Sequence, residues 1–544
     1  MLKVSNSLPI SNFSQVVVSD NSGSTFKPKT NSRIRVVLPA QLGMIDFHNS
    51  YLQMKFLLKP HTAYGTTNTY KMGFSNDQGI EQIMRDLTVR VDGKPVETIT
   101  NYNILDKLRK DFSMDTTMKN IHSLFDHGSM IGDNPSYLVK AWNNITATAD
   151  FSVNDIATKQ QFHPELSGLL SSPQAFPIIA SGNVEVEINL EDSENVLECK
   201  HYLGGDSLKE IYIGSAVGAL AADADGGIAS IKLAKTIANF SDFGWNGNDC
   251  PIVKGNVIEM TGKKADASAF TMYAVLGNVT KTDTNTTLSV DVSAAFVATT
   301  FTDSEALTDV KIKLLPYTNP PTNLTTAPSD LTTELYSYEV SDIEYVCRTI
   351  EMPPPYLQAI QKRIQGEGMV IDVPTYSMYL DNIQSNINRQ SLLVPCYSSR
   401  VKGVLSVPIL GIQKNYRYDR QGKVDDLREF QIKIGSRVEP QRPVDLTNWT
   451  SNTTNQYHSQ EYINEMSNAL VSSGIGQRSI LKWRDNFFFG RSLSVLGGSE
   501  DLSDKGIRWE ISHNTNTNSA KNVYSFVNMV RRLQIVPSGV MIYG

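Results

Sequence analysis

No run of about 18 apolar residues occurs in this chain, so it offers no candidate for a membrane-spanning helix. Its first residues, Met1-Leu-Lys-Val-Ser-Asn-Ser, lack an apolar core, and no secretory signal is expected. Cysteine is scarce. Cys199, Cys250, Cys347 and Cys396 are widely spaced and form no CxxC pair, which argues against a disulfide frame or a zinc site and predicts free thiols in a reducing compartment. Arginine is absent between His201 and Tyr336, where fifteen acidic residues outnumber nine lysines; that segment alone carries the chain's formal charge of −6. The rest is near neutral, which leaves no basic face for direct nucleic-acid binding.

Catalytic signatures are missing too. There is no phosphate loop, no HExxH and no GxSxG. His122 and His127 flank Asp126, a grouping that a polar loop explains as well as a metal would. Glu185, Glu187 and Glu191 could suggest the paired carboxylates of glycoside chemistry. Glu185 and Glu187, however, alternate with Val184, Val186 and Ile188, as the polar face of a half-buried strand does. The pairs Gly204-Gly205, Gly226-Gly227 and Gly497-Gly498 need only be turns, and Phe487-Phe488-Phe489 suits a core or a subunit contact better than a base-stacking platform. The reading is therefore no catalytic, cofactor-binding or metal residues, no cofactor and no enzyme.

What is present is a strand-turn-helix unit. Leu87, Val89 and Val91 alternate with Thr88 and Arg90; Asp92-Gly93 supplies the positive φ angles of a tight hairpin; Pro95 makes the return strand an edge or breaks it locally. Thr100 or Asn101 can cap a helix with Ile104, Leu105, Leu108 and Phe112 on one face. The unit recurs. Phe430 to Gly435 alternates and reaches a glycine, Pro440 and Pro443 follow, and Tyr462, Ile463, Met466 and Leu470 line a second helix. Gly182 to Leu190 is matched by Gly506 to Ile511, and Val340 to Pro353 by Phe526 to Pro537. The offsets between copies are 342, 324 and then 184 residues. One unit written twice explains the late drop if the first copy carries an insertion before its last strand.

The expected fold class is all-β: two tandem jelly-roll β-sandwiches with short helices. The boundaries read as an N-terminal arm at 1–27 holding one strand around Val16-Val17-Val18, a first jelly roll at 28–352 interrupted by an insertion at 198–335, a linker at 353–367 containing a helix over Tyr356 to Ile364, and a second jelly roll at 368–544. Strands are expected at Ile34–Leu38, Tyr51–Leu58 and Phe176–Ile179, with a short helix from Pro164 to Leu170. Inside the insertion, strands are expected at Glu210–Ile213, Ile228–Leu233, Phe270–Val275, Leu288–Val292 and Val310–Leu315.

Several stretches carry a family resemblance: Ile83 to Lys110, Phe176 to Ile188, Tyr338 to Pro353, Val401-Lys-Gly-Val-Leu-Ser-Val-Pro408 and Leu427 to Gly435. Together they resemble the double jelly-roll major capsid proteins of icosahedral double-stranded DNA viruses, most like those of virophages and polinton-like viruses. The resemblance implies a structural major capsid protein, a homotrimeric hexon of pseudo-hexagonal outline, located in the virion and assembled inside the host cell without secretion. It implies itself as the main partner, with penton and minor or cement capsid proteins as others; whether an internal membrane lies beneath the shell stays open. The insertion at 198–335 departs from the compact members and is expected to form an outer crown. Two other readings stay open: a carbohydrate-binding or carbohydrate-active β-sandwich protein, and a transient scaffold of the same fold.

Overall fold

The computed structural model describes residues 12–19, 25–60, 72–74, 79–115, 118, 160–199, 211–215, 220–221, 230–234, 257–281, 287–296, 306–315, 336–410, 427–446, 460–476, 487–494, 497–513 and 520–544. The chain opens with strands β1 (Asn12–Ser19), β2 (Arg33–Leu38), β3 (Ile45–Pro60), β4 (Met72–Phe74), β5 (Met84–Val91) and β6 (Lys94–Thr100). Helix α1 (Tyr102–Ser113), β7 (Gln160–Phe162), α2 (Ile178–Ser181), β8 (Val184–Leu190), α3 (Ser193–Val196) and β9 (Leu197–Cys199) follow. Then come β10 (Ile211–Ser215), β11 (Leu220–Ala221), β12 (Ser230–Ala234), β13 (Val257–Lys263), β14 (Ala269–Lys281), β15 (Thr287–Phe296), β16 (Ala306–Leu315) and the long β17 (Tyr336–Glu351). Helix α4 (Pro354–Gln365) leads into β18 (Met369–Ile383), β19 (Arg389–Val394), β20 (Val401–Leu410), β21 (Leu427–Ile434) and β22 (Arg437–Asp445). Helix α5 (Gln460–Ser472), β23 (Phe489–Ser492), β24 (Ile507–His513), β25 (Lys521–Val536) and β26 (Gly539–Tyr543) complete it.

Two pairs of sheets are built on one plan. The first pair has strand orders β1-β17-β3-β7 and β2-β8-β5-β6, and the second β18-β25-β20-β23 and β19-β24-β21-β22. Numbering the eight principal strands of each half by their place in the chain gives 1-8-3-6 and 2-7-4-5 both times. That is the jelly-roll winding, executed twice, with a helix between the fifth and sixth strands in each roll. The insertion falls between the seventh and eighth strands of the first roll only, and it folds into a sheet of its own, β10-β16-β13-β14-β15-β12, with β11 on β16.

Period-2 burial drives this arrangement. Leu87, Val89 and Val91 on β5, Val184, Val186 and Ile188 on β8, and Ile34, Val36 and Leu38 on β2 are almost wholly buried. In the second roll, Phe430, Ile432 and Ile434 meet Ile507, Trp509 and Ile511 from β24, and the Phe489 ring stands edge-on to Trp509 at 5.0 Å. Asp92 and Gly93 adopt φ of 52° and 74° in the β5–β6 turn, and Gly435 turns β21 into β22 at 58°. Pro95 lies on the outer strand of its sheet, beside a bulge at Val89/Arg90, where no ladder bond is asked of it.

The structure departs from the sequence reading at several places. The Val16-Val17-Val18 segment does not stand in a separate arm. It pairs along its length with β17, from Asn12↔Glu351 to Ser19↔Glu344, and is the first strand of the first roll. The outer edge of β17 requires a partner, and these residues supply it. Phe176 makes a single bridge to Ile45, and Ile178–Ser181 is a helical turn closed by Gly182 at φ 87°, so Phe176–Ile179 is not a strand. Pro164 to Leu170 is a chain of turns rather than a helix. All five strands read in the insertion are present, joined by β13, whose Gly262 breaks the alternation that would have revealed it.

Candidate functional site

The carboxylates weighed for chemistry are engaged structurally. Glu187 accepts from Arg33 at 2.5 Å and Glu185 pairs with Arg35 at 2.9 Å, so the outer face of β2 and β8 is a cross-strand ladder of ion pairs. Glu191 is buried and takes the side-chain amides of Asn103 at 3.0 Å and Asn195 at 2.8 Å. Phe487, Phe488 and Phe489 are fully buried; Phe487 stacks on Tyr462 at 5.8 Å. Cys347 and Cys396 are buried, and burial pushes the Cys347 thiol up to about 12 and raises that of Cys396, so neither is a ready nucleophile. Gly497 sits in a turn at φ 78°. His122, Asp126, His127, Gly204-Gly205 and Gly226-Gly227 lie outside the described residues. Among the described residues, no group of three or more His, Cys, Asp or Glu could hold a metal ion.

The developed features are instead a seam and two open edges. The seam joins the rolls within the chain. Edge strand β6 of the first roll lies along β18, the edge strand of the second. Arg531 donates to the Val96 carbonyl at 3.0 Å and Lys94 to the Val540 carbonyl at 2.5 Å. Gly168 presses on Pro374 so closely that a Cβ there would stand 1.9 Å from the Pro374 carbonyl oxygen. Farther up, the Phe112 ring of α1 meets Phe488 at 4.9 Å.

Helix α1 is buried on nearly every side, although more than half of its residues are polar. Its charges are therefore paired in place. Asp106, fully buried, takes Arg109 at 2.9 Å and lies 3.6 Å from Lys110; Lys110 also reaches Glu81 at 2.8 Å; Lys107 binds Asp111 at 3.1 Å; and Arg109 extends to Glu165. Burial works against charge on Asp106, but Lys110 and Arg109 outweigh it and hold this carboxyl below its ordinary range.

The turns of both rolls at this seam lie at a common end. The β5–β6 turn of the first roll touches the β25–β26 turn of the second through Lys94 and Val540, so the sandwiches stand side by side and the same way up. Because neighbouring strands are antiparallel, the long connections β3–β5, β6–β7 and β8–β17, with β20–β21 and β22–β23, all depart from the opposite end.

Each roll owns one copy of each seam edge, and among the described residues one copy of each is left uncovered. The counterpart of β6 is β22, of which Val444 alone is buried, whereas β6 buries Val96, Glu97 and Ile99. The counterpart of β18 is β1, whose Ser14, Gln15 and Val17 are exposed, Val17 by 51%. Beside β1, a cavity of about 370 Å³ is lined by Ser14, Gln15, Asn49, Val346 and Arg348. Helix α5 presents an outward stripe of Glu461, Asn464, Asn468 and Val471, where α1 has no free face.

No protein-family model matches the chain, and no curated protein matches it. Solved structures do. It is similar in fold to viral major capsid proteins. The Faustovirus major capsid protein is 10% identical, with 96% of this chain and 90% of that one covered and a TM-score of 0.47. For the capsid of the virus PBCV-1 the figures are 8%, 98% and 96%, with a TM-score of 0.44, and for the mavirus major capsid protein 11%, 98% and 90%, with 0.34.

Proposed function

We propose that this chain is a structural major capsid protein that closes into a homotrimeric, pseudo-hexagonal capsomer and tiles an icosahedral shell. The observation that carries the reading is the seam. One β6-type edge meets one β18-type edge inside the chain, while β22 and β1 present the same two edges uncovered among the described residues. Repeating the internal contact between chains sets β22 of one copy along β1 of the next. A contact of this head-to-tail kind ends in a ring if its rotation closes. Six similar rolls complete such a ring with three copies, the number that the sequence resemblance implies. Closure would also protect edges that otherwise invite uncontrolled strand pairing.

On this reading the domains run as two rolls with the 198–335 segment as an outer crown, since that segment leaves from the end bearing the long connections. Its −6 charge would keep particles dispersed. Penton and minor capsid proteins would be the further partners, and the virion the site of action. Light scattering on the purified chain tests the proposal. A stable mass of three chains, with hexagonal outlines by electron microscopy, is expected. A folded monomer at micromolar concentration would overturn it.

A further inference from the structure

Glu97 stands where a jelly roll should have an apolar side chain. The register sets it opposite Val89, on the core side of β6, and it is wholly buried. One carboxyl oxygen accepts the Leu169 N–H at 2.6 Å, with the Gly168 N–H and the Ser167 hydroxyl also directed at the group. The other oxygen is buried with no hydrogen-bond partner among the described residues. Glu97 thereby pins the turn 167–169, and it is Gly168 of this turn that rests on Pro374 of the second roll.

The surroundings give the carboxylate little compensation. Val89 faces it from β5; the turn brings Ser167 and, through Gly168, rests on Pro374 of β18, while the nearby Glu165 is engaged by Arg109. On its own strand, Lys94 is committed to the Val540 carbonyl, and on β18 Asp372 is held by Arg400 and Arg532. Arg531 of β25 is the cation whose charge reaches it, and that guanidinium donates to the Val96 carbonyl. The equivalent acid of the second roll is built differently. Glu439, opposite Ile432, pairs with Arg437 at 2.9 Å and Arg491 at 3.4 Å.

We propose that Glu97 is a proton-operated latch on the seam between the two rolls, closed while the carboxyl is neutral and loosened when it ionises. Burial, only partly offset by the Ser167 hydroxyl and the Leu169 and Gly168 N–H groups, pushes this carboxyl up to about 7. The sign follows from linkage. In acid the carboxyl is neutral both in the closed seam and in an opened one. As pH rises through the ordinary carboxylate range, an opened and hydrated Glu97 ionises while the closed one does not. Opening therefore becomes easier until pH passes about 7, where the effect levels off. The seam is acid-tight and alkali-labile. The latch lies within one chain and acts whether or not copies assemble.

Hydrogen exchange of the amides at 167–169 tests it, comparing wild type with Glu97→Gln at matched pH from below the ordinary carboxylate range to above about 7. Glutamine keeps the shape of the neutral acid. Wild-type exchange should rise relative to the variant as pH climbs from the ordinary carboxylate range to about 7, by up to about two orders of magnitude, and hold that difference above it; the two should coincide only below the ordinary carboxylate range. Gly168→Ala, which drives a methyl into Pro374, should raise exchange at every pH. Superimposed wild-type and Glu97→Gln profiles would overturn the latch, as would an unaffected Gly168→Ala.

Discussion

At the scale of single residues, the molecule's unusual chemistry is buried charge. Asp106 has no solvent to fall back on, and its neighbours were placed to suit a carboxylate: Arg109 at 2.9 Å and Lys110 at 3.6 Å. Removing one member of such a network leaves the others uncompensated, at a cost of about 3–5 kcal/mol. Asp106→Asn should therefore destabilise the first roll by that amount in chemical denaturation. The pH dependence has the sign opposite to that of Glu97. A carboxyl held below its ordinary range contributes stability above that range and loses it as pH falls through the depressed value. Wild type should lose stability on the acid branch more steeply than Asp106→Asn, and parallel curves would contradict the assignment. Neither acid announces itself in the sequence. Asp106 sits in the Asp-Lys-Leu-Arg-Lys run of a helix that reads as one-sided, and the groups that complete its buried network, Glu81 and Glu165, lie well away from it in sequence. Glu97 is hidden by a bulge at Val89/Arg90, which shifts the alternation so that a charged position turns inward.

At the scale of elements, what was legible follows from what is local. The β5–β6–α1 and β21–β22–α5 units show in the sequence because a hairpin turn and an amphipathic helix are fixed by neighbours a few residues away. β1 reads as an arm because three consecutive valines carry no period and because its partner β17 lies more than three hundred residues on. Phe176–Ile179 reads as a strand from apolar content alone, yet a helical turn leads from Pro177 to Gly182. The open edges could not be read at all, because exposure of β22 and β1 is defined only against the covered β6 and β18. They lead to a direct prediction. Val17 is half exposed in the single chain, so Val17→Asp should leave its unfolding transition within about 0.5 kcal/mol of wild type. If β1 receives β22 of another copy, the same change puts a carboxylate into a packed contact and should weaken trimers by at least about tenfold. Sedimentation equilibrium measures both species. Undiminished trimers would remove β1 from the contact.

At the scale of the whole molecule, the two rolls share one continuous apolar core, and the inserted sheet has a ladder of its own. The insertion begins after β8 and returns at β17, both strands held by partners inside the first roll: β8 by β2 and β5, β17 by β1 and β3. Its removal costs the roll no ladder. Tyr338, at the point of return, is anchored by stacking on Phe56 at 5.3 Å and by its hydroxyl on the Glu191 carbonyl, neither of which involves the inserted sheet. Loop-closure entropy also favours a shorter connection, by about 0.6 kcal/mol for each halving. Replacing 200–335 with a glycine-serine linker should therefore give a chain that folds, keeps its thermal midpoint within a few degrees, and still forms the complex of three. Removing 200–335 also removes fifteen acidic residues against ten lysines, so the shortened protein is nearly neutral and should elute earlier on anion exchange and precipitate more readily near neutral pH. A truncated chain that fails to fold would mean that the insertion supports the first roll rather than decorating it.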